Sequence, residues 1–469
     1  MFRTVFAFLI LSVSLSAAAN STVSSEQAAQ ISADVDAVLR HTETPGATIA
    51  IAELGHIVYS HAYGLRDSGH HLPATQDTYY EIGSITKQLT AAAIMQLQEA
   101  GKLRIDDTLA THLPDAPHAG EVTLRQLLSH TSGLSEYLTG PNIELEATQS
   151  ATFDQLLARI AGKPLDFAPG SHWAYSNTNY ILLGRIIEVV SHETYRHYVQ
   201  THLLNRAGMK QTFTVSDETH LPNMAIGYHH TDGRINSPTP ISESFGWAAG
   251  SLVSTVSDLE KWNAALMSGR IVSSADYAMM STSVKLTDQT DAGYGFGLFV
   301  DTIDGQPRVG HTGGSFGFTT ANEYFPKQGV QIIAFTNNGD DPEPGEMITT
   351  AIFEDLYLTI AAATNRPNAG EDSAVTAEAK AVFEQLQRGT GEFTQLTDKL
   401  AKKMKDGQAQ RVAAIFGPYG AATAFVYKGE REQASLKWFD YVVRFGPGSV
   451  LKFAIGVDDA GKVASISYG

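Results

Sequence analysis

Ser84 and Lys87 stand three residues apart at the head of an apolar run, Gln88-Leu89-Thr90-Ala91-Ala92-Ala93-Ile94-Met95-Gln96-Leu97, rich in good helix formers. Residues i and i+3 share a helix face, which sets the Lys87 amine against the Ser84 hydroxyl. A desolvated lysine loses up to ~3–5 pKa units and becomes a usable base near neutral pH. The start of a helix adds free N–H groups and partial positive charge, which favour an oxyanion beside Ser84. Gly83 leaves room for a substrate to approach the backbone. The chemistry on offer is a nucleophile with its base built in. A Ser-x-x-Lys spacing arises by chance about twice in a chain of this length, so the weight must come from elsewhere in the chain.

Three further segments supply it. Tyr175-Ser176-Asn177 follows a turn-rich stretch, Ala168-Pro169-Gly170-Ser171-His172-Trp173, of the kind that carries functional side chains. His311-Thr312-Gly313-Gly314 opens a strand-like run whose glycines expose backbone. Leu128-Ser129-His130-Thr131-Ser132-Gly133-Leu134 reads as the end of a capped helix and its stop, its serines and threonine serving the cap. Ser-x-x-Lys, Tyr-x-Asn and His-Thr-Gly in this order resemble the signature of class C serine β-lactamases and the related D-alanyl-D-alanine carboxypeptidases. The Leu-Leu-Ser-His-Thr-Ser-Gly-Leu segment and Gly246-Trp247-Ala248-Ala249-Gly250-Ser251-Leu252 are similar to the same family, and the resemblance covers roughly residues 24–361.

That resemblance implies a role for each residue. Ser84 attacks an acyl carbon to form an acyl-enzyme. Lys87 and Tyr175 share the proton traffic, with the choice of base left open. Asn177 meets the substrate's side-chain amide. The backbone N–H groups of Ser84 and Gly314 form the oxyanion hole, whose donors are each worth ~10²–10³ in rate. His311 and Thr312 meet a substrate carboxylate, and Gly313 and Gly314 line an edge for extended substrate backbone. Most β-lactamases carry lysine at the position of His311; a histidine there is more like the carboxypeptidase and esterase branches. With an ordinary pKa near ~6.5, it implies a KM for carboxylate substrates that rises between about pH 6 and 8. The implied activity is D-amino-acid peptide or amide hydrolysis, with esterase, β-lactamase and non-turnover penicillin sensor as alternatives on the same fold.

Two motif-like segments are set aside. Gly313-Gly314-Ser315-Phe316-Gly317 imitates a nucleophile elbow, but a strand-like run follows and no histidine occurs later in the chain, so Ser315 reads as structural. His192-Glu193-Thr194-Tyr195-Arg196 lacks the second histidine of a zinc protease. The pairs His70-His71 and His229-His230 read as solvated loops whose rings point apart. No constellation implies a metal or cofactor.

The elements that must position these residues follow from pattern. The 469 residues are 43% hydrophobic and 18% charged, enough for a sizeable core, and the net charge of −17 with no basic stretch points away from nucleic acid. Residues 1–19 read as an export signal: Arg3, an apolar run from Val5 to Leu15, then Ala17-Ala18-Ala19, giving a secreted or periplasmic protein without a membrane span in its mature chain. Absence of cysteine rules out disulfides and a thiol nucleophile. A helix is predicted over 24–40, a hairpin over Ala47–Ala52 and Ile57–Tyr63, and helices through the middle, with capping boxes at Thr123 and Ser257. Strands return over Gly295–Val300, His311–Phe325 and Val330–Thr336, before a helix over Glu346–Ala361. Strands at both ends and helices between imply one antiparallel sheet completed by both ends of the chain. This is an α+β layering of the β-lactamase/transpeptidase kind, with an all-helical lobe, over 20–361. A polar linker over 362–374 leads to a small α+β domain over 375–469, helices first and four strands after.

Overall fold

The computed structural model describes residues 23–468 except 215–220, 232–233, 341–342, 358–366, 369, 434–435 and 447. Residues 1–19, read above as an export signal, and residues 362–366 and 369 of the expected linker lie outside the described residues. Helix α1 (Ser25–His41) starts at Ser24 with a capping box through Gln27 and buries Ile31, Val35, Val38 and Leu39. Strands β1 (Gly46–Glu53) and β2 (His56–Asp67) then form the predicted hairpin. Helix α2 (Thr86–Glu99) is buried from Thr86 to Leu97, as befits an element enclosed on all sides. Helix α3 (Asn177–Ser191) packs against it.

Strands β3 (Phe299–Ile303), β4 (Gln306–Ser315), β5 (Phe318–Phe325) and β6 (Val330–Thr336) complete the sheet, and helix α4 (Pro344–Leu356) follows. The order is Leu72–Pro73, β2, β1, β6, β5, β4, β3, antiparallel throughout. The first strand of this sheet therefore pairs with the last to enter it, Ala47 opposite Thr336 and Ile51 opposite Ile332. Alternate residues of β1 face different layers. Ile49 and Ile51 join the core under α1 and α4, and Ala50 joins the larger core around α2 and the helical lobe. Both faces of the sheet are covered, which explains a nearly continuous apolar β1.

Two local expectations are corrected. The run His311–Phe325 is not one strand: it turns at Phe316-Gly317, where Gly317 has φ +90°, so β4 and β5 are a hairpin. The helix Val256–Met267 is capped by Thr255, whose side chain accepts from the Asp258 N–H, rather than by Ser257.

At the C-terminal end, helix α5 (Ser373–Arg388) packs on a four-stranded antiparallel sheet of β7 (Ala424–Gln433), β8 (Leu436–Gly446), β9 (Ser449–Val457) and β10 (Val463–Tyr468). Phe383, Tyr441, Val443 and Phe453 form a core of its own on that face. The opposite face meets α4 and the β3–β4 turn. Arg444 reaches Asp304 at 2.7 Å and also pairs with Glu354, and a Cβ at Gly448 would lie 1.7 Å from the Met347 carbonyl oxygen.

Candidate active site

Ser84 occupies a single 3₁₀ turn, Gly83–Ile85, immediately before α2, a tighter entry than a helix start proper. Gly83 has φ +49°, and a Cβ there would lie 2.5 Å from the Gly314 carbonyl oxygen and 3.0 Å from the Gly314 nitrogen. Only glycine permits that approach, which sets the backbone of Ser84 beside the last residues of β4. Gly313 does the same from the other side, since a Cβ on it would sit 2.1 Å from the Ile82 oxygen. Gly314 differs: a Cβ there would meet open space.

Lys87 is fully buried. Its Nζ lies 2.9 Å from Ser84 Oγ, 2.8 Å from Asn177 Oδ1 and 2.7 Å from the Ala249 carbonyl oxygen. The last two partners only accept, so they take two N–H donors and leave the third position of the nitrogen facing Ser84. Burial lowers the Lys87 pKa to about 7, against the pull of the Glu136 carboxylate, which raises it. A neutral Lys87 held this way directs its lone pair at the Ser84 hydroxyl.

Tyr175 presents its ring 4.8 Å from Lys87 Nζ and stacks over Phe299. Burial pushes its phenol well above the ordinary value, the nearby Ser84 hydroxyl opposing, so it stays protonated at neutral pH. Its Oη makes no hydrogen bond of ordinary geometry among the described residues. Asn177 opens α3; its Nδ2 donates to Glu136 Oε2 at 3.1 Å, and one N–H remains. The Thr312 hydroxyl has no side-chain hydrogen bond among the described residues and is partly exposed on β4.

His311 departs from expectation. The ring is 2% exposed. Nδ1 lies 2.5 Å from the Thr312 carbonyl oxygen, which only accepts, so Nδ1 carries the proton. Nε2 is then the acceptor, and takes the Tyr294 hydroxyl at 2.8 Å. Burial, reinforced by Lys87, lowers the His311 pKa to about 3. The imidazole is neutral throughout the range in which a charge was expected to titrate, and both nitrogens are engaged away from any substrate carboxylate. The low dielectric of the site defeats the ordinary histidine pKa on which that expectation stood.

Several residues of the site carry no sequence signal. Glu136 anchors Asn177 and bears on Lys87, yet it is an isolated acid in a loop. Tyr294 lies 17 positions before His311, with a strand and a turn between. Glu81, buried three residues before Ser84, accepts the Ser315 hydroxyl and thereby ties the end of β4 to the Ser84 segment; burial pushes its carboxyl up to about 7. His130, by contrast, belongs to the Leu128–Leu134 segment singled out in the sequence; it sits at φ +58° behind the site, its Nδ1 accepting the Ser176 N–H at 3.2 Å. The His229-His230 pair is corrected as well: the rings do not point apart in loops but both meet Asp340, at 2.9 and 2.6 Å. Among the described residues, no three histidine, aspartate or glutamate side chains cluster to hold a metal ion.

Comparison with known proteins places the fold in a family. A family model described as beta-lactamase matches residues 31–357. Penicillin-binding protein 4 of Amycolatopsis lactamdurans is 29% identical over 345 residues, 69% of this chain and 86% of that protein. Among solved structures, a D-stereospecific amidohydrolase from Streptomyces sp. superposes with a TM-score of 0.61 at 26% identity, over 71% of this chain and 98% of that one. An octameric penicillin-binding protein homologue from Pyrococcus abyssi shares the fold over 92% of this chain and 96% of its own, with a TM-score of 0.63 at 23% identity.

Proposed function

Because the chain belongs to the β-lactamase family and is a serine hydrolase of that fold, we propose that it is an exported hydrolase of D-amino-acid peptides or amides that works through an acyl-enzyme on Ser84. The observation that carries this reading is the 2.9 Å contact between Ser84 Oγ and a wholly buried Lys87 whose other donors are already spent. Lys87, with a pKa near 7, takes the Ser84 proton as Oγ attacks the acyl carbon. Ser84 and Gly314 N–H groups, brought together by Gly83, receive the oxyanion. Tyr175, kept as a phenol, passes a proton to the leaving amine and recovers one by way of Lys87. Water then attacks the ester with the same base. The remaining Asn177 N–H and the Thr312 hydroxyl are the groups offered to substrate, with His311 holding Thr312 in place through its carbonyl.

The Streptomyces neighbour, 26% identical, is a D-stereospecific amidohydrolase, which supports the choice of substrate. Export rests on residues 1–19; no helix among the described residues is long and apolar enough to cross a membrane. Hydrolysis of D-alanine and L-alanine para-nitroanilides by wild type and Ser84→Ala tests the reading. It predicts turnover of the D enantiomer alone, lost in Ser84→Ala. Equal turnover of both, or turnover that survives Ser84→Ala, contradicts it.

A further inference from the structure

His130 takes no part in the steps above, yet it is wholly buried and strains the fold twice. Its backbone sits at φ +58°, a left-handed conformation that a residue with a side chain adopts only under constraint. Its Nε2 is buried and, among the described residues, has no hydrogen-bond partner. The proton is nevertheless on that nitrogen. Nδ1 accepts from the Ser176 backbone N–H and from Asn179 Nδ2, each at 3.2 Å. The Asn179 amide points this way because its Oδ1 takes the Ser132 hydroxyl at 2.6 Å, and Ser132 Oγ itself accepts the Leu134 N–H. Burial, reinforced by Lys87 and His311, lowers the His130 pKa well below its ordinary value, so the ring stays neutral with its tautomer fixed. A phenylalanine would fill the same space without leaving a buried donor unanswered.

What the histidine adds is a hold on both sides of Tyr175. Its carbonyl oxygen accepts the Ala174 N–H at 3.0 Å, Nδ1 accepts the Ser176 N–H, and its ring lies 4.4 Å from the Tyr175 ring. The backbone before and after Tyr175 is thus tied to one residue, together with the side chain. Tyr175 has no comparable hold of its own. Phe299 stacks on it with 6.5 Å between centroids, and Oη makes no hydrogen bond of ordinary geometry among the described residues. Asn177 differs, because Glu136 accepts both its backbone N–H and its Nδ2. Loss of the His130 contacts is therefore felt at Tyr175, while Asn177 and the Lys87 amine it receives keep their anchor.

We infer that His130 is a positioning residue that aims the Tyr175 phenol at the leaving group, acting through its Nδ1 and taking no part in proton transfer. This rests on the acyl-enzyme reading above, in which Tyr175 protonates the leaving amine.

Glycine and asparagine both tolerate a positive φ, so neither adds backbone strain at position 130. His130→Gly removes ring and acceptor together, and His130→Asn returns an acceptor oxygen close to the place of Nδ1. Wild type and both variants are assayed on D-alanine para-nitroanilide and on D-alanine para-nitrophenyl ester, which lead to the same acyl-enzyme. The anilide departs only with a proton, whereas para-nitrophenolate departs without one. The ratio of the two kcat/KM values does not depend on how much of a preparation is folded. His130→Gly is expected to lower the anilide-to-ester ratio by about tenfold or more, and His130→Asn to restore it to within about threefold of wild type. An unchanged ratio in His130→Gly, which is what equal loss on both substrates gives, overturns the proposal. So does a ratio in His130→Asn no better than in His130→Gly. Wild type idle on both substrates, or turnover that survives Ser84→Ala, overturns the acyl-enzyme reading and this proposal with it; wild type active on both with a ratio unmoved by His130→Gly overturns the role of His130 alone.

Discussion

At the scale of single residues, the balance between burial and Glu136 sets the chemistry of Lys87. Burial alone drives a lysine toward neutrality, and the carboxylate restores part of its proton affinity. The pH profile of kcat/KM is therefore expected to rise through an acidic limb centred near pH 7. Glu136→Gln removes a negative charge that favours the protonated amine, so the limb moves to lower pH; a limb that stays in place or moves upward contradicts the assignment. His311 gives the complementary prediction. With its pKa depressed to about 3, the ring does not change charge between pH 6 and 8, and KM for a carboxylate substrate owes no pH dependence to it in that window. Comparing KM profiles of wild type and His311→Asn checks this: a rise present in wild type and absent in the variant restores a charged His311. Tyr294, by donating to Nε2, is what makes that neutral tautomer the favoured one.

At the scale of elements, the site is made by a close meeting of the Ser84 turn with the end of β4. Gly83→Ala is expected to damage both stability and activity, because its Cβ collides with the Gly314 backbone at a positive φ. Gly314→Ala, whose Cβ meets nothing, keeps the melting temperature of wild type while lowering kcat/KM by about tenfold or more through crowding of the substrate. Thermal unfolding and steady-state kinetics on the two variants separate the cases; equal loss of stability contradicts this distinction. The strand, helix, strand order and the Ser-x-x-Lys, Tyr-x-Asn and His-Thr-Gly segments were legible because each is local in sequence or alternates with a fixed period. The hairpin turn at Gly317 was hidden because the residues on both sides have strand character. Glu136 and Tyr294 were hidden for another reason. They reach the site only through tertiary packing, and a lone acid or tyrosine has no period to betray it. The His311 charge was misjudged because a reference pKa knows nothing of burial.

At the scale of the whole molecule, the C-terminal domain holds the end of β4 away from the chemistry. Asp304, at the β3–β4 turn, lies eight residues along the chain from Thr312, roughly 27 Å in an extended strand. The contact runs through Arg444, which is 7% exposed at its side chain and pairs with Asp304 and Glu354. Arg444→Met removes the guanidinium from beside two largely buried carboxylates, a loss of about 3 kcal/mol. Thermal unfolding is expected to register it as early release of the C-terminal domain, with kcat/KM within about twofold of wild type because no group within reach of Ser84 has moved. A large fall in kcat/KM at unchanged stability contradicts a purely structural contact.

The most direct measurement is the intact mass of the protein after exposure to a fluorophosphonate and, separately, to benzylpenicillin, beside the Ser84→Ala variant. The account predicts one adduct per chain from each reagent and none in the variant. Wild type that remains unlabelled by both, or a variant that is labelled like wild type, contradicts a nucleophilic Ser84 activated by Lys87.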